Sequence, residues 1–139
     1  MELDGGKAIQ ITDVAVGVHS FAVSPGSRSI VFRASCCGGQ PNERTLVICE
    51  FPTCTTRRPL HVENYAGGRV RWAPDGRGVA YVGADRQANI WIQPLAGSPA
   101  RPLTHFSNRT IADFAWSPDG RQLAIARATT TNDVVLFKD

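Results

Sequence analysis

No stretch of the chain reaches the roughly 18 consecutive apolar residues of a membrane-spanning helix, so no membrane partner is expected. The opening MELDGGKAIQ puts acids and glycines where an export signal needs a basic and then an apolar segment, and the chain reads as soluble and without such a signal. Charge of one sign is in small excess, with 15 Lys and Arg against 12 Asp and Glu. A nucleic-acid footprint needs a clustered basic face, so no nucleic-acid partner is expected either. Helical periodicity is missing as well: no run of ten residues places apolar side chains at i, i+3, i+4 and i+7.

The motifs of common chemistries are absent too. The four cysteines, Cys36, Cys37, Cys49 and Cys54, lack the paired C-x-x-C spacing of a zinc site. They read as free or structural thiols, with a disulfide from Cys49 to Cys36 or Cys37 open in an oxidising compartment. The three histidines, His19, His61 and His105, show no H-E-x-x-H spacing, and neither a G-x-S-x-G elbow nor a P-loop occurs. We therefore expect no catalytic residues, no metal and no cofactor.

What the chain does have is a phrase written three times. WSPDGRQLAIA, Trp116 to Ala126, echoes WAPDGRGVAYV, Trp72 to Val82, and more faintly VSPGSRSIVF, Val23 to Phe32. Phe114 and Trp116 alternate with Ala115, a period of two. Pro118 suits the first central position of a type I turn, Asp119 the next, and Gly120 the positive φ that follows. Leu123 and Ile125 resume the alternation, so the unit is strand, tight turn, strand. The first copy lacks the Asp, and its turn is expected to differ. The prolines at 25, 74 and 118 lie 49 and 44 residues apart, the period of a four-stranded propeller blade. Third strands read TLVICEF (45–51), NIWIQPL (89–95) and DVVLFKD (133–139), and fourth strands read RPLH (58–61) and RPLT (101–104). We call the four strands A to D from the channel outward.

WSPDGRQLAIA together with NIWIQPLAGSPARPLT resembles the TolB-like, WD40-like (PD40) propeller repeats, over nearly the whole chain. The resemblance implies an all-β fold of propeller blades, usually six to a ring, and a role in partner binding. It places relatives in the periplasm, in non-catalytic halves of serine peptidases, and in sensor or scaffold regions of bacterial signalling kinases. By these precedents the chain would be periplasmic, or otherwise cytoplasmic.

The N-terminal LDGGKAIQIT aligns with LAGSPARPLT, so the chain begins on an orphan D strand (8–12) and ends on an orphan A-B-C set (113–139). With the blades at 19–62 and 69–105 this makes one propeller-repeat domain over 1–139, about three blades or half of a six-bladed ring. Three blades do not close a ring. A homodimer in which each chain lends its N-terminal strand to the other completes six, and a longer tandem array is the alternative.

Strand A lines the channel of a propeller, so the candidate partner-binding residues are Arg69, Arg71 and Asp113, with Arg109 and His19 from the preceding loops. Trp72, Phe114 and Trp116 are expected to wedge between blades, and Asp75 and Asp119 to serve their turns. The segment Ser35–Arg44 is an insertion and a candidate contact surface.

Overall fold

The computed structural model describes residues 10, 18–34, 45–84 and 88–129. Every regular element among them is a β-strand, and among the described residues no helix is long and apolar enough to cross a membrane. The expected strands at 8–12 (apart from residue 10) and 133–139, the insertion Ser35–Arg44, and Cys36 and Cys37 lie outside the described residues.

The first sheet runs β1 (Val18–Val23), β2 (Ser29–Ala34), β3 (Thr45–Glu50) and β4 (Arg57–His61) in consecutive antiparallel order. The second repeats the order with β5 (Tyr65–Trp72), β6 (Gly78–Gly83), β7 (Ile90–Pro94) and β8 (Arg101–Pro102). The third comprises β9 (Thr110–Trp116) paired with β10 (Leu123–Ala128). Prolines 59 and 102 fall on the outer strands β4 and β8, where a missing N–H costs no ladder bond.

The repeated phrase folds as its residue types dictate. In the second copy Gly76 N–H closes the turn on Ala73 O at 2.9 Å, and Gly76 has φ +68°. Asp75 Oδ1 accepts the Arg77 amide at 2.9 Å. The third copy matches, with Gly120 N–H to Ser117 O at 2.9 Å and Asp119 Oδ1 accepting the Arg121 amide at 3.1 Å. The first copy turns differently. Gly26 takes φ +80° one position earlier, as in a type II turn, and Ser27 follows at +54°.

Strand pairing sorts each sheet into two faces. In the first, Ala22 pairs with Val31 and Val31 with Ile48, which puts them on the face toward the second sheet. There Val31, Leu46 and Ile48 bury against Val70, Trp72, Val79 and Tyr81. The indole N–H of Trp72 donates to Ala22 O at 2.9 Å, which satisfies the one polar group of the wedge. The opposite face of the second sheet, with Ala80, Val82 and Ile90, receives Phe114, Trp116, Leu123 and Ile125 of the third. Trp72 and Phe114 are buried as expected of wedges. Trp116 is only half-buried and lines an open cleft.

The cysteine pairing differs from expectation: Cys49 bonds Cys54, with Cα atoms 4.9 Å apart. Cys49 is the fifth of the six residues of β3, so about 13 Å of strand, at ~3.3 Å per residue, separates it from the insertion that carries Cys36 and Cys37. The turn after β3 brings Cys54 back, its N–H donating to Glu50 O at 2.7 Å. The bridge occupies the place where the second sheet uses a hydrogen bond. Cys49 pairs with Ile30 as Gln93 pairs with Val79, and buried Gln93 ties its own turn through Nε2 to Ser98 O at 2.8 Å.

Replacing Trp72 by Ala should cost about 3–5 kcal/mol in chemical denaturation, and Trp116→Ala clearly less. Gly76→Ala should cost about 1–2 kcal/mol from left-handed strain alone. Gly120→Ala should cost visibly more, because its Cβ would lie 2.5 Å from Pro74 Cβ whereas the one at Gly76 meets nothing within 4 Å.

Candidate functional site

The inner strands β1, β5 and β9 lie side by side and form a shared wall. Strand β5 is irregular. From Tyr65 to Val70 the chain advances five residues while its partner advances two, from Tyr81 to Gly83. The surplus loops out as Ala66–Arg69, a bulge that re-aims side chains. Gly67, at φ +86°, permits it. Arg33 Nη1 donates to Gly67 O at 3.2 Å, and Tyr65 OH donates to Gly68 O at 2.7 Å. The Tyr65 ring meets Tyr81 edge-on at 5.6 Å, and Tyr81 OH donates to Glu63 O at 2.8 Å. Burial raises the phenol pKa of Tyr65. Burial, aided by the charge of Glu63, pushes Tyr81 up to about 12. Both therefore stay protonated donors at neutral pH.

The bulge carries Arg69 toward the third sheet. Arg69 Nε lies 3.1 Å from Asp113 Oδ2, and Arg71 Nη2 lies 3.3 Å from Asp113 Oδ1. Asp113 Oδ1 also accepts its neighbour's amide, Phe114 N–H, at 2.8 Å. Arg71 is steered by its own Nη1, which donates to Val70 O at 3.0 Å, and by the Phe114 ring 5.9 Å away. Three residues singled out in the sequence, Arg69, Arg71 and Asp113, thus meet across two sheets. Arg109 stands in the turn before β9 at φ +67° and lines neither of the clefts beside this cluster. The backbone of His19 lies in β1, and its side chain is outside the described residues.

Two clefts open along the wall, and Arg71 borders both. One, of about 430 Å³, is lined by Ser20, Phe21, Gly67, Gly68, Arg69 and Arg71. The other, of about 500 Å³, runs over the turn ends, with Ser24, Pro25, Trp72, Pro74, Trp116 and Asp119 among its walls. Ser20, Phe21 and the glycine bulge were missed by sequence reasoning. Only the adjacent glycines of YAGGRV, interrupting a strand pattern, marked the place. Among the described residues no group of three or more His, Cys, Asp or Glu could hold a metal ion.

Ion pairs as exposed as these contribute roughly 0–1 kcal/mol to stability. The cluster is therefore a weak structural tie. It holds two cations and one anion at an accessible wall, a local surplus of positive charge.

No family model matches the chain. It is 31% identical over 68 residues to tricorn protease homolog 1 of Streptomyces coelicolor, a match spanning 48% of this chain and 6% of that protein. Two solved structures share the fold: TolB from Acinetobacter baumannii (TM-score 0.63, 20% identity) and the Dos1 propeller (TM-score 0.53, 14% identity). Each similarity covers 81% of this chain, and 27% and 30% of those chains respectively. The chain has a TolB-like β-propeller fold, and its sheets are propeller blades.

The third turn carries a pH dependence. The Asp119 carboxyl is held below the usual carboxylate range, first by the Ser117 hydroxyl and then by the Arg121 amide. Its contribution to stability is complete above the unfolded carboxylate pKa of about 3.9 and is lost as pH falls through the depressed folded value. Urea titrations between about pH 6 and 2.5 should show a shallower acid loss for Asp119→Asn than for the unmodified chain.

Proposed function

We propose that this chain is a non-catalytic propeller scaffold that binds a protein or peptide along the wall formed by β1, β5 and β9. The observation that carries this reading is the convergence of Arg69 and Arg71 of one blade on Asp113 of the next, beside open clefts. Rigid strands hold these groups, as recognition on a scaffold requires. The excess of cation over anion favours a partner bearing carboxylates, which would compete with Asp113 for the two guanidinium groups. Two chains close a six-bladed ring, each lending residues 8–12 to the other's last blade. The Cys49–Cys54 bridge supports an oxidising compartment, in line with a periplasmic location.

A second reading has one observation in its favour, the match to a tricorn protease homologue. In that reading the propeller is a gate or sensor beside a peptidase domain, and a separately prepared catalytic domain would dock on it.

A phage-displayed random peptide library, selected on the folded chain, tests the scaffold reading. Enriched acidic peptides should bind in fluorescence anisotropy, weaken with added salt, and lose about tenfold or more in affinity on Arg71→Ala, equivalent to ~1.4 kcal/mol. Failure to enrich any peptide, or equal binding to the Arg69→Ala/Arg71→Ala chain, would contradict it.

A further inference from the structure

At each internal junction the same two surfaces meet. The strand-A side chains of the later blade press on one face of the earlier one, built of Ala22, Val31 and Ile48 on the first blade and Ala80, Val82 and Ile90 on the second. Val70 is 0% exposed on the first blade, and Phe114 is 2% exposed on the second. Strand pairing shows that Phe21 occupies the same place in the first blade, because Phe21 faces Phe32 as Val70 faces Tyr81 and Phe114 faces Ile125. Yet Phe21 is 64% exposed and its neighbour in the pattern, Val23, 39%.

The receiving surface is also left open at the other end. Arg71 pairs with Ala80 on the second blade, where Ala80 is 0% exposed beneath the third. The matching pair on the third blade is Ala115 with Ala124, followed by Ala126, and all three alanines are exposed. The described part of the chain therefore ends in a large-residue face on one side and a small-residue face on the other. Each holds the register position of a face that is buried at the two internal junctions.

We propose that these two faces are an interface for a second copy of this chain. Phe21 and Val23 of one copy seat on Ala115, Ala124 and Ala126 of the other, continuing the internal blade junction. The contact is heterologous, and used twice it closes two copies into a ring. It rests on the two-chain ring proposed above and adds to it a face contact separate from the exchanged strand. A face contact buries apolar side chains, so it persists in high salt, unlike the charged wall.

Sedimentation equilibrium at tens of micromolar tests this with Phe21→Glu, Ala124→Lys and an equimolar mixture of the two. The unmodified chain should have twice the 15.0 kDa of one chain. Each variant alone should weaken association about 100-fold and run as a single chain. The mixture should regain the doubled mass, since it restores one unmodified junction and pairs Glu with Lys at the other. Both positions are exposed, so unchanged circular dichroism is expected of each variant, and Val23→Glu supplies a second disruption if either fails that check. An unmodified chain of single mass overturns both the face contact and the ring. Variants that stay doubled overturn the face contact and leave strand exchange standing. A mass that climbs past two copies means an open stack and overturns the closed pair. Singly running variants that do not recover on mixing also count against it.

Discussion

A propeller blade is a sheet with two apolar faces, and neither can be left to water without cost. Everything else in this chain depends on how that constraint is met. Trp72 shows the solution at its clearest: a large ring laid on the inner strand of the preceding blade, its indole N–H bonded to Ala22 O across the junction. Burial of an aromatic side chain is worth ~1.5–3 kcal/mol, and the hydrogen bond prevents a buried orphan donor from cancelling that gain. Small residues at Ala22 and Ala80 make room for the wedges, while the proline–glycine turns return each strand in register. The second blade, covered on both sides, has a β6 strand buried along its whole length.

The same geometry creates the candidate site. Wedging fixes the side chains on one face of each inner strand, which leaves the alternate positions to line the wall. Arg71 and Asp113 are such positions, and the bulge at Gly67 and Gly68 adds Arg69 to them. Because the bulge is held by Arg33 and Tyr65, the charged cluster is positioned by groups of two blades. Its ion pairs bring little to folding, so a partner's carboxylate could replace Asp113 at small cost to the scaffold.

Much of the fold was legible because turns and periodicity are local. Pro74, Asp75 and Gly76 announce one hairpin, Pro118, Asp119 and Gly120 another, and the 44-residue spacing between them announces the blade. That Arg69, Arg71 and Asp113 share one wall was readable for the same reason, since equivalent places in a repeat lie side by side; their convergence on one carboxylate depends on the bulge and was not. The cysteine pairing was harder to read. Cys49 is near Cys54 through a turn whose path is set by a backbone bond to Glu50, not by any residue pattern. Trp116 was read as a buried wedge like Trp72, although it is only half-buried. Nor does the pattern of Phe21 differ from that of Phe114. Among the described residues a blade packs over Phe114 and none packs over Phe21, a fact of tertiary order that no local window contains.

Native-state hydrogen exchange tests the central claim, that blades are stabilised chiefly by covering one another's faces. Amides of β6 and β7, in the blade covered on both sides, should exchange only through global unfolding, and those of β2 and β3 should open together with them because the two blades share one core. In the Phe21→Glu chain, where no second copy covers the third blade, amides of β9 and β10 should open at lower free energy. A middle blade that opens more easily than its neighbours, or a first blade that opens independently of it, would contradict the account.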